Sequence, residues 1–185
     1  MIIIGITGTL GAGKGTIVEY LVGKRQFVHY SVRAFLTEEI EQRNLPVNRD
    51  TMTMLANELR AAHSPSYVTD QLLIRARQCN HHCIIESIRT PGEITSLRRC
   101  AQFVLFAVDG DPAIRYERII RRGSATDSIS FETFLSNEQR EMQSTDPNHQ
   151  NLAECIRQAD YAFSNNGTLE ELHRNIEEVL IHLNI

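Results

Sequence analysis

One glycine-rich segment near the start of the chain constrains the fold more than any other feature. It reads Gly8-Thr9-Leu10-Gly11-Ala12-Gly13-Lys14-Gly15-Thr16. An apolar, β-branched run at residues 2–6 precedes it, and residues 17–22 have helical character. Glycines let successive backbone N–H groups curl around an anion, and the following helix adds its positive N-terminal end. The segment is therefore predicted to be a P-loop that binds phosphate groups.

Two side chains in this segment have predicted roles of their own. Lys14 is expected to place its charge near the β- and γ-phosphates of a nucleotide. Thr16 is expected to place its hydroxyl near the phosphates or Mg²⁺. No Asn-Lys-x-Asp guanine-recognition motif occurs in the chain, which disfavours a GTPase.

Strands and helices are predicted to alternate along the whole chain. The strands are expected at residues 2–6, 27–30, 83–86, 103–108 and 161–164. Ser31, Asp50 and Asp111 are expected to cap helices, Ser64-Pro65 to open another, and Thr168 to Glu171 to form a capping box. Five strands separated by helices predict an α/β fold with a parallel sheet covered on both faces.

Composition excludes several classes of protein. The 185 residues fit one domain, and the formal net charge of −4 disfavours a nucleic-acid surface. No apolar run is long enough for a membrane span, and no basic leader precedes the first strand. The four cysteines, Cys79, Cys83, Cys100 and Cys155, do not suggest a disulfide framework, which favours the reduced cytoplasm. Cys79 and Cys83 flank two histidines, but no second ligand pair lies at zinc-site spacing.

The Gly-Lys-Gly-Thr form at residues 13–16 resembles adenylate kinase and its relatives, the nucleoside monophosphate kinases. This resemblance implies a three-layer P-loop kinase fold that uses ATP and Mg²⁺ and phosphorylates a small-molecule nucleotide acceptor. It implies one domain over residues 1–185, with an acceptor-binding insert at about 31–80 and a lid at about 118–140. Residues 123–130 are small and polar, and are expected to close over the bound nucleotide.

The resemblance also assigns the acceptor side of the site. Residues 29–31 resemble the family segment that follows strand two and borders the acceptor, which implies acceptor contacts for Ser31 and Arg33. Residues 84–90 resemble the family strand that ends in an acid and is followed by an arginine. Glu86 would then hold Mg²⁺ through water, and Arg89 would hold the acceptor phosphate. The family usually has an aspartate where this chain has Ala34.

Two segments near the C-terminus complete the resemblance. Residues 118–122 resemble the family's lid entry, where Arg118 would pack on the ATP base and Arg122 would contact the phosphates. Residues 159–161 and 165–172 are similar to the last strand and helix of dephospho-CoA kinase, which implies that Asn166 and Gly167 border the adenine. The other interpretation of Arg115, Arg118 and Arg122, which recur at helical spacing, is a solvated basic face.

Three hypotheses about function remain open at this point. The first is a nucleoside or deoxynucleoside monophosphate kinase, with Lys14, Glu86, Arg89, Arg118 and Arg122 as its catalytic groups. The second is a hydroxyl kinase related to dephospho-CoA kinase. The third is a nucleotide-binding regulatory domain with little catalysis. The sequence leaves the acceptor and the oligomeric state open.

Overall fold

The computed structural model describes residues 1–124 and 128–185, and only the backbone of Cys100. Its strands are β1 (Ile3–Gly8), β2 (Val28–Ser31), β3 (Cys83–Glu86), β4 (Phe103–Asp109) and β5 (Tyr161–Ser164). Its helices are α1 (Lys14–Arg25), α2 (Val32–Gln42), α3 (Arg49–Ala62), α4 (Tyr67–Cys79), α5 (Pro91–Cys100), α6 (Pro112–Arg122), α7 (Phe131–Met142), α8 (Leu152–Arg157) and α9 (Leu169–His182). Residues 125–127, in the centre of the expected lid loop, lie outside the described part of the chain.

The five strands form one sheet in the order β2-β3-β1-β4-β5, and every pairing is parallel. β1 is buried along its whole length between β3 and β4. Because the strands are parallel, the last residues of β1 to β4 lie at the same end of the sheet. These residues are Gly8, Ser31, Glu86 and Asp109. The predicted α/β fold with a parallel sheet covered on both faces is confirmed.

A hydrophobic core lies on each face of the sheet. On one face, Leu36, Leu55 and Leu72 from three helices belong to one buried cluster that includes residues of β1 and β3. On the other face, Ile17 of α1 and Ile176 of α9 belong to a second buried cluster that includes residues of β1, β4 and β5. The two cores fix the sheet between helical layers, so the sheet edge that carries the P-loop has a rigid base.

Several helix starts agree with the sequence. The side chains of Ser31, Asp111 and Thr168 cap α2, α6 and α9 as predicted. The prediction for α3 was wrong, because Asn48 rather than Asp50 accepts the hydrogen bond from Thr51 N (2.9 Å). α4 begins at Tyr67, two residues beyond the expected Pro65, and has no side-chain cap.

No helix in the described ranges is both long enough and apolar enough to cross a lipid bilayer.

Candidate functional site

The P-loop curls between the end of β1 and the start of α1. Gly11 and Gly13 have φ values of 76° and 109°, which side chains other than glycine rarely adopt. A Cβ at Gly11 would overlap the carbonyl oxygen of Arg115, and one at Gly13 would overlap the amide of Asn165. The glycines are therefore required both by the backbone conformation and by the elements packed around the loop.

Lys14 lies inside the curl of the loop. Its Nζ donates to the carbonyl oxygens of Gly8 (2.8 Å) and Thr9 (2.7 Å). Burial lowers the pKa of Lys14 to about 7, and the charge of Arg89 adds to the effect. An anion bound in the loop would offset this desolvation and hold the amine in its charged form.

Three contacts from other elements brace the loop. Thr9 Oγ1 donates to Asp109 Oδ1 at the end of β4. Asn165, which follows β5, donates from Nδ2 to the carbonyl oxygen of Ala12 (2.8 Å). Arg115 of α6 donates from Nη1 to the carbonyl oxygen of Leu10 (3.1 Å). The loop conformation thus depends on residues about 100 to 150 positions further along the chain.

Arg115 is buried, so a solvated basic face is the wrong interpretation for this residue. Its guanidinium also donates to the carbonyl oxygen of Gly110 (2.7 Å) and to Glu138 of α7, and it lies over the ring of Phe134. A sequence signal was available, because Arg115 stands four residues before the buried Ile119 on the same helix face. Arg115 therefore connects the P-loop to α7.

A cavity of about 600 Å³ opens in front of the loop. Most of the predicted site residues line it, namely Leu10, Gly11, Gly13, Lys14, Gly15, Thr16, Ser31, Arg33, Glu86, Arg89, Arg118 and Arg122. Gly8, Thr9 and Ala12 belong to the loop but are not part of the cavity wall. The structure thus brings the middle and the C-terminal end of the sequence motif and the ends of β2 and β3 around one space.

Asn166 and Gly167, predicted to border an adenine, lie outside this cavity wall. Asn166 accepts from the backbone N–H of Asp111 (2.7 Å) and donates to Ser164 Oγ (3.2 Å). The preceding residue, Asn165, instead accepts from Arg118 through its carbonyl oxygen (2.8 Å). Asn165 therefore links the P-loop to Arg118, a role that the sequence did not suggest.

Glu86 ends β3 on the cavity wall. Its Oε2 accepts a hydrogen bond from His29 Nε2 (3.1 Å). Burial alone would raise the pKa of Glu86, but the hydrogen bond from His29 and the charge of Lys14 outweigh it, and the pKa lies below its usual range. The carboxylate is therefore ionised at neutral pH.

The hydroxyl of Thr16 and the carboxylate of Glu86 are possible oxygen ligands for a metal ion on the same cavity wall. Mg²⁺ commonly keeps several waters and binds through one or two protein oxygens together with substrate phosphates. Among the described residues, no group of three or more histidine, cysteine or acidic side chains could form a full protein cage for a metal. A hydroxyl and an ionised carboxylate facing a phosphate loop fit a mostly hydrated Mg²⁺.

Arg89 is held from two directions. Its Nη1 donates to Glu141 Oε2 of α7 (3.0 Å), and its backbone N–H donates to Glu93 Oε2 (2.7 Å). Glu141 also pairs with Arg49 of α3. Burial would raise the pKa of Glu141, but the charges of Arg89 and Arg49 outweigh it and lower the pKa. One carboxylate thus joins two arginines across the cavity wall.

A buried ion pair lies behind Arg89. Arg60 of α3 donates to Glu93 Oε1 from Nη2 (2.9 Å) and Nε (3.2 Å), and the two side chains are only 1% and 0% exposed. Glu93 also forms a capping box with Thr90 at the start of α5. The Thr-x-x-Glu spacing could have revealed this box in the sequence, but it gave no sign of Arg60.

Positive charge dominates the cavity wall. The basic residues there are Lys14, Arg33, Arg49, Arg60, Arg89, Arg118 and Arg122, and the acidic ones are Glu19, Glu86 and Glu141. Even with Lys14 counted as neutral and Arg60 left out because Glu93 neutralises it, five positive charges face three negative ones. A cavity of this composition favours a ligand with several negative charges.

A parallel sheet in this strand order, with a phosphate-type glycine loop after its central strand, defines the class of P-loop α/β proteins. A family model described as AAA domain matches residues 4–146, well over half of the chain. The chain therefore belongs to this AAA domain family.

Individual relatives cover nearly the whole chain. UPF0200 protein PH1008 of Pyrococcus horikoshii is 27% identical over 184 residues, covering 96% of this chain and 95% of the relative. The structure of TT1252 from Thermus thermophilus has a TM-score of 0.67 at 22% identity and covers 98% of this chain and 97% of its own. The structure of a gluconokinase from Sinorhizobium meliloti 1021 has a TM-score of 0.62 at 16% identity. The match covers 97% of this chain and 91% of the gluconokinase chain. The fold is thus one that kinases also have.

Proposed function

We propose that this protein is an ATP-dependent phosphotransferase whose acceptor is a nucleoside or deoxynucleoside monophosphate. The observation that carries the proposal is the pair of arginines, Arg49 and Arg89, on the wall of the cavity into which the P-loop and Lys14 open. A phosphate loop in this cavity suits a nucleoside triphosphate. Further arginines on the same wall suit a second anion, since a guanidinium can bind two phosphate oxygens at once.

The carboxylates of the cavity favour a phosphate acceptor over a hydroxyl acceptor. Transfer to a hydroxyl benefits from a general base with a pKa near the working pH. The pKa values of Glu86 and Glu141 are instead lowered, and Glu141 is already paired with two arginines. An acceptor phosphate is itself an anion and needs no base.

The basic residues then supply most of the catalysis. Lys14 would bind the transferring phosphoryl group, Arg122 would bind the triphosphate from α6, and Arg118 would pack on the ATP base. Arg89 would orient the acceptor phosphate in line with the reacting bond. Each such donor contributes roughly 3 kcal/mol when it is already in place for the transition state. Mg²⁺ held near Thr16 and Glu86 would neutralise phosphate charge when bound.

A hydroxyl kinase is the second candidate. The likeness to a gluconokinase favours it, because the named substrate of that protein offers hydroxyl groups. Ser31 and Arg33 line the acceptor side and could contact either kind of molecule. The two candidates differ only in the acceptor that is consumed.

ADP formation against a panel of acceptors tests the proposal. The panel should contain nucleoside and deoxynucleoside monophosphates, dephospho-CoA and gluconate. Turnover that depends on a monophosphate supports the proposal, and turnover with only the hydroxyl acceptors supports the second candidate. Tight ATP binding without consumption of any acceptor would replace both by a nucleotide-binding regulatory role.

Two lysine variants separate the site from general effects of charge. Lys14→Ala should reduce turnover by a factor of about 100 to 1,000, as expected when one transition-state donor is lost. Lys24→Ala is the matched control, because Lys24 is an exposed lysine in the last turn of the same helix. Full activity in Lys14→Ala would contradict the assigned site.

A further inference from the structure

Two cysteines outside the candidate site lie in direct contact. Cys79 ends α4 and Cys83 begins β3, and their Sγ atoms are 3.2 Å apart. Asn80 between them has a left-handed φ of 52°, which turns the chain back on itself. A disulfide bond is about 2.05 Å long, so the two sulfur atoms need to move only about 1 Å closer. Neither cysteine lines the cavity described above.

The two thiols are chemically different. Cys79 is partly exposed, whereas Cys83 is fully buried. Burial would raise the pKa of Cys79, but hydrogen bonds from the backbone of His81 and from the side chains of Cys83 and Tyr30 outweigh it and lower the pKa. Burial raises the pKa of Cys83 to about 12, and the neighbouring Cys79 adds to the effect. Cys79 is therefore the better nucleophile, and Cys83 is placed to react second.

We propose that Cys79 and Cys83 are a redox pair that a hydroperoxide oxidises to a reversible disulfide. The Cys79 thiolate attacks one oxygen of hydrogen peroxide and breaks the O–O bond. This forms a sulfenic acid on Cys79, and the departing hydroxide takes up a proton to become water. The Cys83 sulfur then attacks the Cys79 sulfur, and the leaving hydroxide takes the Cys83 proton. Two thiols lose two electrons in total, and one peroxide becomes two waters.

The position of the pair separates this chemistry from phosphoryl transfer. Cys83 lies at the first residue of β3, and Glu86 lies at the last, at the opposite edge of the sheet. The disulfide would close a short loop between α4 and β3 without entering the cavity. Oxidation of the two cysteines therefore does not depend on the proposed kinase activity.

Peptide mass spectrometry of the wild-type protein tests the pair directly. Trypsin cleavage after Arg77 and Arg89 places both cysteines in one peptide, residues 78–89, which contains neither of the other two cysteines. After a brief treatment of the folded protein with hydrogen peroxide and alkylation of free thiols, this peptide should lose the mass of two hydrogens and carry no alkyl group. Dithiothreitol should restore two alkylatable thiols. A peptide that keeps both thiols free, or oxidises only after unfolding, would overturn the proposal.

Two serine variants test the order of the steps. Cys83→Ser should accumulate the sulfenic acid on Cys79, which dimedone traps as a stable adduct. Cys79→Ser should leave Cys83 unmodified under the same conditions. Cys155 is an internal control, because it is buried and burial raises its pKa to about 12. If Cys83 in the Cys79→Ser variant reacts with peroxide no faster than Cys155, the proposed order is supported. If dimedone traps Cys83 in Cys79→Ser faster than it traps Cys79 in Cys83→Ser, the order is refuted.

Discussion

Replacing Glu93 with alanine would show how much the buried ion pair behind Arg89 contributes to stability. The Glu93 carboxylate accepts four hydrogen bonds, two from Arg60 and one each from the backbone N–H groups of Arg89 and Thr90. Alanine would leave the Arg60 guanidinium, which is 1% exposed, without a counter-charge. Removing one partner of a buried pair costs roughly 3–5 kcal/mol, so we expect the free energy of unfolding to fall by about 4 kcal/mol.

Two further variants separate the cost of an unpaired buried charge from the cost of the lost hydrogen bonds. Arg60→Met leaves Glu93 with its two main-chain donors, so its loss should be smaller, about 2 kcal/mol. Combining Arg60→Met with Glu93→Gln strands no charge and retains an acceptor oxygen, and should cost only about 1 kcal/mol. The Glu93→Ala variant should therefore be the least stable of the three.

Urea unfolding followed by circular dichroism measures these differences through the midpoint and the slope of the transition. Arg157→Ala is the matched control, because Arg157 pairs with Glu154 on an exposed face of α8, and its midpoint should not change. A loss of less than about 1 kcal/mol in Glu93→Ala would show that the substitution does not strand the charge of Arg60. An uncharged double variant no more stable than Glu93→Ala would show the same.

Three further predictions concern the cavity. Because burial and the charge of Arg89 lower the pKa of Lys14 to about 7, its amine is mostly neutral at alkaline pH, and binding of a triphosphate should recharge it. Calorimetry of triphosphate binding at about pH 8.5, in buffers of different ionisation enthalpy, should therefore detect uptake of nearly one proton. Lys14→Met should abolish this uptake. Equal proton uptake by the wild-type protein and Lys14→Met would refute the assignment of the proton to Lys14. A Cβ at Gly15 would meet no protein atom, so Gly15→Ala should retain the thermal unfolding midpoint but weaken ATP binding. Gly13→Ala, in contrast, should lower the unfolding midpoint. Unchanged ATP affinity in Gly15→Ala would show that no ligand approaches Gly15. Glu141→Gln removes the charge that pairs with Arg49 and Arg89, so the acceptor KM should change by a larger factor than the KM for ATP. Equal changes in both KM values would contradict an acceptor-side role.

The pH dependence of stability follows from the same lysine. The unfolded chain binds the Lys14 proton up to its ordinary pKa of 10.5, whereas the folded chain releases it near 7. Between those two values the unfolded state holds more protons, so this group makes the protein more stable as the pH rises. Below about pH 7 its destabilising contribution is fully present.

The features that were predictable from sequence are those whose signal is local. The P-loop, the five strands and the caps at Ser31, Asp111 and Thr168 each depend on residues a few positions apart. Helix caps are short-range hydrogen bonds, so their residue types and spacing appear directly in the sequence. The error at α3 is of the same local kind, because Asn48 and Asp50 are both good caps and only the backbone decides between them.

The ion pairs of the site were not predictable, because they join residues far apart in the chain. Arg60 and Glu93 are 33 positions apart, and Arg49 and Glu141 are 92 apart. Charged residues in helices usually face solvent, so neither residue of such a pair carries a periodic sign of its partner. Only the fold brings α3 and α7 to the same wall.

Net charge fails as a guide to this cavity for a related reason. The whole chain carries a formal charge of −4, yet the wall in front of the P-loop has more basic than acidic residues. Acidic residues elsewhere on the surface, such as Glu154 and Glu170, outweigh the cavity in the sum but act through water and salt over longer distances. Inside the cavity the charged side chains lie at short range from a bound ligand, so the local field determines which ligand binds. A composition that disfavours a large polyanion is therefore compatible with a strong preference for a small one.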